Sequence, residues 1–396
     1  MATYKTIKYI VPVEVVEHTD SINALADVDT STAAPTEGQT IKWNGTNWVP
    51  GDIEESSSNA TQKGIIAFGE DDSSVLSTSH LISSTGVIAS VTNGVGTARS
   101  EVAASGYGGD KGIFFGGYTW IGQTPMSKSN LVSNTGVIST DASNSSVSAR
   151  HGAYGVPIGY DGKAVFLFGR KPSDQTEPNY GKNIVSNTGV IGSDVSNASG
   201  QTSRSHGASS SYGGDKGVIM GGQNFNGNAS SGISNLISNT GVIASDVSHV
   251  SEEAHPDYFT WGVDPIDTYN CNAAGTTYGS DGKAVFFGGG GDDWHMYFEY
   301  SFLSSIHLVS NVGVVASNTT QTTDQGSPAM LSGCSYGGDK GIFAHGKYRA
   351  TGPSSGYADY LLSKQNLVSN TGVISDQSTC TGARTNDGAC GYSSTA

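Results

Sequence analysis

Basic residues are scarce in this sequence: 20 lysines and arginines stand against 35 aspartates and glutamates over 396 residues, a net charge of −15. No basic cluster forms that could neutralise a phosphate backbone, so nucleic-acid binding is not expected. Long apolar runs are also missing. No stretch approaches the roughly 20 residues of a membrane-spanning helix, which argues against membrane insertion. Residues 1–10 hold neither the apolar core nor the cleavage site of a signal peptide, and the expectation is a soluble chain made in the cytosol. The four cysteines, Cys271, Cys334, Cys380 and Cys390, show no CxxC spacing and no accompanying histidine pattern, so neither a zinc site nor a redox pair is indicated. Buried free thiols are expected; a Cys334–Cys390 disulfide, between equivalent strands of neighbouring repeats, runs against a reducing cytosol. With only 14% charged residues, the chain lacks the Glu and Lys that a helical protein of this length would need.

What the chain has in excess is glycine, 55 residues, about twice the usual share, and the glycines recur at fixed places. Six times a lysine opens an apolar run that closes on glycine: Lys63, Lys111, Lys163, Lys216, Lys283 and Lys340, spaced by 48, 52, 53, 67 and 57 residues. Six times a Ser-Asn-Thr-Gly-like turn follows, as in Asn183-Ile-Val-Ser-Asn-Thr-Gly189, and leads at once into Val-Ile or Val-Val. A period of this length, with four short strands per unit, is that of a β-propeller blade. The expected fold is therefore all-β: a six-bladed propeller over residues 56–396, preceded by a small β module over residues 1–55. A tyrosine stands before the lysine in five units (Tyr107, Tyr160, Tyr212, Tyr278 and Tyr336) but not before Lys63. The missing first strand is found at the other terminus, in residues 383–392, which predicts that the C-terminal strand closes the ring.

The unit resembles the kelch repeat over residues 60–396. The likeness rests on the arginine opening the first strand (Arg99, Arg150, Arg204 and Arg384) and on the glycine pairs Gly116-Gly117, Gly221-Gly222 and Gly288-Gly289. It departs from that pattern in having no tryptophan at the end of the fourth strand and no arginine in blades five and six. In the N-terminal module, Lys8 to Glu17 reads as a strand and Thr40 to Pro50 as a hairpin around Asn44-Gly45. Residues 24–52 resemble a segment of tail-fibre and structural proteins of tailed phages, notably cyanophages. That resemblance implies a virion appendage, attached to other virion proteins through the module, with homo-oligomerisation as a further expectation.

In such a blade the turns after strands one and three share one face of the disc, and here they are uniform. The connections after strands two and four share the other face and vary in length and composition, as recognition loops on a rigid scaffold do. The two longest, residues 252–269 and 290–302, belong to blade five. They carry Tyr258, Trp261, Asp292, Asp293, Trp294, Tyr297 and Tyr300, and Trp120 is on the same face. Aromatic rings beside carboxylates suit a glycan or a protein surface, so these eight residues are the expected contact set for a host glycan, a host protein or a virion neighbour. Catalysis is not expected: Asp292 and Asp293 are adjacent and point opposite ways in an extended segment, and no nucleophile elbow or Walker loop occurs. His249, Glu252, Glu253, His255 and Asp257 read as an acidic solvated loop, and no metal centre or cofactor is assigned.

Overall fold

The computed structural model describes residues 28–29, 39–43, 46–52, 61–120, 124–171, 181–196, 198–224, 232–248, 273–289, 305–316, 319–320, 330–351, 357–380 and 382–395. The chain divides into two compact units, Met1–Ser56 and Ser57–Ala396. In the first, strands Gln39–Trp43 and Trp48–Asp52 pair antiparallel with Trp43 opposite Trp48, and the two indole rings lie 5.6 Å apart. Asn44-Gly45 and the strand expected near Lys8 lie outside the described residues.

The second unit is a six-bladed β-propeller, and no helix occurs among its described residues. From the axis outward, blade two is Ala103–Tyr107, Lys111–Phe115, Lys128–Val132 and Ala142–Ser143; blade three is Tyr154–Ile158, Lys163–Leu167, Gly181–Val185 and Val195–Ser196. Blade four follows with Ala208–Tyr212, Lys216–Met220, Ile233–Ile237 and Val247–Ser248, and blade five with Ala274–Tyr278, Lys283–Phe287, Ser305–Val309 and Thr319–Thr320. Blade six is Ser332–Tyr336, Lys340–Ala344, Lys364–Val368 and Ile374–Thr379. Blade one joins both ends of the unit: Gly388–Tyr392 pairs with Lys63–Ala67, Lys63 opposite Tyr392, and Ser79–Ile82 completes it. The C-terminal strand closes the ring as its sequence requires.

Each lysine run is buried after its first residue because neighbouring sheets cover both of its faces. The core is accordingly six apolar wedges, one between each pair of adjacent blades. Phe68 meets Phe114 between blades one and two, and Phe287 meets Phe343 between blades five and six. The inner-strand tyrosine of one blade packs on the Ser-Asn-Thr-Gly turn of the next: a methyl at Gly189 would touch Tyr107, and one at Gly372 would touch Tyr278.

One of the five tyrosines departs from the expected pattern. The turn before Lys163 is one residue longer than the one before Lys111, so Ile158, not Tyr160, pairs with the lysine and fills the inter-blade slot. Tyr160 is left in the turn, 55% exposed.

The four arginines are buried struts. Arg99 donates from Nε to the Gly116 carbonyl at 2.8 Å and from Nη2 to Asn130 Oδ1 at 2.6 Å, while its guanidinium caps the Phe68 ring at 3.9 Å. Asn130 passes the link outward to Asp141 at 3.0 Å, tying the segment that leads into strand one to strand three and to the residue just before strand four of the same blade. In blade one the asparagine is replaced by His80. Because a guanidinium can only donate, His80 Nε2 accepts from Arg384 at 2.7 Å, and Nδ1 donates to the Ala89 carbonyl at 3.0 Å. Five of the six run-opening lysines, all but Lys63, pair with the aspartate of their own turn, as Lys111 does with Asp110 at 2.7 Å; exposed pairs of this kind contribute little.

Candidate functional site at the channel mouth

The six inner strands line a central channel with small residues such as Ala104, Gly155, Ser209 and Gly333, leaving a cavity of about 170 Å³. Where those strands begin, on the face of the variable connections, backbone hydrogen bonds step from blade to blade. Glu101 N donates to the Asn386 carbonyl at 2.8 Å, Gly152 N to the Glu101 carbonyl at 3.0 Å, and His206 N to the Gly152 carbonyl at 3.0 Å. The four stitched residues lie in the left-handed region, with φ of 53° at Glu101, 58° at Gly152 and His206, and 54° at Asn386. Non-glycine residues adopt that conformation at a cost, so surrounding contacts must hold them there.

The stitch gathers polar side chains from four blades. Glu101 Oε2 lies 2.5 Å from both His151 Nδ1 and His206 Nε2. Ser205 Oγ holds the other ring nitrogen of His206 at 2.7 Å, and the Tyr118 ring rests against His151 at 5.1 Å. Gly152 is required by this arrangement, because a methyl there would come within 2.8 Å of His206 Nε2. The three side chains keep 11–14% of their surface, so the group is recessed yet open to the mouth. Burial raises the Glu101 carboxyl, but the two facing imidazoles outweigh it and hold the group well below the usual carboxylate range. Burial, with Glu101 and Glu70 nearby, pushes the Tyr118 phenol up.

Beside this group, Glu70 bridges Trp120 and Asn386. Its Oε2 accepts from Trp120 Nε1 at 2.8 Å and its Oε1 from Asn386 Nδ2 at 3.0 Å. Trp120 is the one residue of the expected contact set that is described: it stands on the variable face, 41% exposed, with its ring nitrogen anchored. Tyr258, Trp261, Asp292, Asp293, Trp294, Tyr297 and Tyr300 lie outside the described residues, as do His249, Glu252, Glu253, His255 and Asp257.

A second polar group is closed off entirely. His345 Nδ1 meets Asp387 Oδ2 at 2.8 Å with neither side chain exposed, and the His80 ring lies 5.3 Å from that of His345. Burial opposes charge on His345, but the hydrogen bond and charge of Asp387 win and push it up to about 9. Burial, with Arg384 adding to it, brings His80 down to about 4. Cys334 and Cys390 are free and buried, and burial pushes the Cys390 thiol up to about 12, which keeps it unreactive.

Glu101, His151 and His206 carry no local sequence signature of a site, because residues 50 and 55 apart form no recognised motif. A signal was present: each falls one or two places after a strand-opening arginine, and aligning the repeats on Arg99, Arg150 and Arg204 sets the three side by side. Fold and site together define a closed propeller carrying a polar, recessed mouth on its variable face. No family model matches the chain, and no curated protein matches it.

Proposed function

We propose that this chain is a virion component of a tailed phage, a fibre or decoration protein whose kelch-like propeller presents a rigid surface for non-covalent contact. The contact partner is a host surface glycan, a host protein or a neighbouring virion protein, and residues 1–55 attach the chain to the particle at the virion surface after assembly in the host cytoplasm. The observation that carries the reading is the asymmetry of the disc. One face repeats the same ion-paired and Ser-Asn-Thr-Gly turns, while the other bears the divergent connections, Trp120 and the polar mouth. The phage-like segment over residues 24–52 and the arginine struts support the virion and kelch parts of the proposal.

The test is an adsorption or glycan-capture assay on folded variants. Interfaces concentrate their energy in a few aromatic anchors, so Trp294→Ala and Trp120→Ala are expected to weaken capture about tenfold or more, while Lys111→Ala and Lys216→Ala on the uniform face change little. Equal, negligible losses on both faces would overturn the assignment. Shortening of a polysaccharide by the wild-type chain would replace it with a degrading enzyme. A propeller whose aromatic loops are buried against partner chains in the particle would make it an architectural subunit.

A further inference from the structure

We infer that Glu101, His151 and His206 form a binding site for one divalent transition-metal ion of the zinc type. The three donor atoms lie within 4.8 Å of one another and come from the starts of three successive inner strands. Two imidazole nitrogens and one carboxylate oxygen are a donor set for zinc, cobalt or nickel, whereas calcium and magnesium take all-oxygen shells. With three protein ligands the ion keeps at least one open position, and the three side chains, 11–14% exposed, are not sealed off from solvent.

Several details outside the donor atoms point the same way. Metal-bound histidines hydrogen-bond through their second nitrogen, which fixes the tautomer and aims the lone pair. Ser205 Oγ does this for His206 at 2.7 Å. The stitch Asn386–Glu101–Gly152–His206 fixes the backbone that carries the ligands, and the bare Gly152 leaves space beside His206 Nε2. With bonds of about 2.0–2.1 Å, tetrahedral donors stand roughly 3.3 Å apart. Each 2.5 Å Glu101–His contact therefore opens by somewhat under an ångström when the ion enters, which side-chain rotation can supply.

The closed cluster elsewhere in the ring shows what separates a site from a strut. There Arg384 stands at His80 Nε2 and Asp387 at His345 Nδ1, so the positive charge beside those groups is already supplied by the protein and no opening leads outward. At Glu101 no arginine or lysine hydrogen bond to the carboxylate occurs among the described residues.

The experiment uses the full chain, stripped with a chelator and titrated with Co²⁺ and then Zn²⁺. One equivalent of Co²⁺ is expected to give the visible d–d bands of a four- or five-coordinate ion, and Zn²⁺ to displace it. His206→Gln and Glu101→Gln should each lower Co²⁺ affinity by about tenfold or more, while His255→Gln, in the long loop, leaves it unchanged. X-ray absorption of the wild-type zinc form keeps the test decisive if a variant misfolds: two imidazole nitrogens and oxygen, without sulfur, are expected. No cobalt bands at millimolar ion, a sulfur or all-oxygen shell, or loss of binding in His255→Gln alone would overturn the site.

Discussion

Placing one methyl group on Gly112 tests how the blades are fitted to each other. The residue after the run-opening lysine faces the middle residue of the previous blade's inner strand. At Gly112 a methyl would collide with Cys390 Sγ, at Gly217 with Val156, at Gly341 with Thr276, and at Gly64 it would come within 2.6 Å of Cys334 Sγ. Two units carry alanine instead, Ala164 and Ala284, and the facing positions there are the small Ser105 and Ser210. Large therefore meets glycine and small meets alanine around the whole ring. Gly112→Ala intrudes on a packed wedge and should cost about 1–3 kcal/mol, less the several tenths that alanine recovers over glycine in a strand. Cys390→Ser alone removes the larger sulfur. Its hydroxyl can bond the next carbonyl along the strand, as Ser105 does with Gly106 at 3.1 Å, so its cost stays near 1 kcal/mol. The double variant recreates the Ser105–Ala164 pairing and should be less destabilised than the two single changes together by about 1 kcal/mol or more. Denaturant unfolding of the four proteins reads this coupling directly. Additive effects, or a Gly112→Ala variant as stable as wild type, would refute the size-matching argument.

Removing the chain after Thr379 deletes the closing strand, the buried Arg384 strut and Asp387 of the His345 pair. The lost ladder and burial rival the roughly 5–15 kcal/mol that holds a domain together, so aggregation or loss of the cooperative melt is expected; a folded monomer with unchanged melting temperature would exclude ring closure as a determinant of stability. Stability should also form a dome in pH. His345 is raised from 6.5 to about 9, so its pairing with Asp387 stabilises fully below pH 6.5 and fades as pH rises through 9, an effect on the order of 3 kcal/mol. His80 is lowered to about 4, so its neutral form stabilises above pH 6.5 and that contribution is lost as pH falls through 4. Melting curves of wild type and His345→Gln from pH 5 to 10 check this, and a variant keeping the alkaline slope would rule out His345 as its source.

The ring was legible because its information is periodic: lysine runs and turns recur six times, and the strand missing at Lys63 reappears before Tyr392. Counting back from the lysine failed at Tyr160, since one added turn residue moves a side chain from the wedge to solvent without changing the local composition. The difference between Lys-Gly and Lys-Ala was visible in the sequence but had no meaning until the neighbour facing it was known. The Glu101 group was hidden for a related reason. Its members are joined by the circumference of the ring rather than along the chain, and only stacking the repeats on their arginines recovers that direction.

The backbone amide of Gln62 donates to the carbonyl of Ser393 at 2.9 Å, so the first and last strands of the ring meet side by side at one hairpin-like end. A closed circle of blades gives no energetic privilege to the place where the polypeptide happens to be cut. Residues 62 and 393 could be bridged by a linker of a few residues, with new ends opened in a turn of the uniform face, and every inter-blade wedge would be retained. Such a circular permutant would let each blade in turn carry the tether. The variable face could then be presented from any of the six blades while its surface chemistry stayed the same.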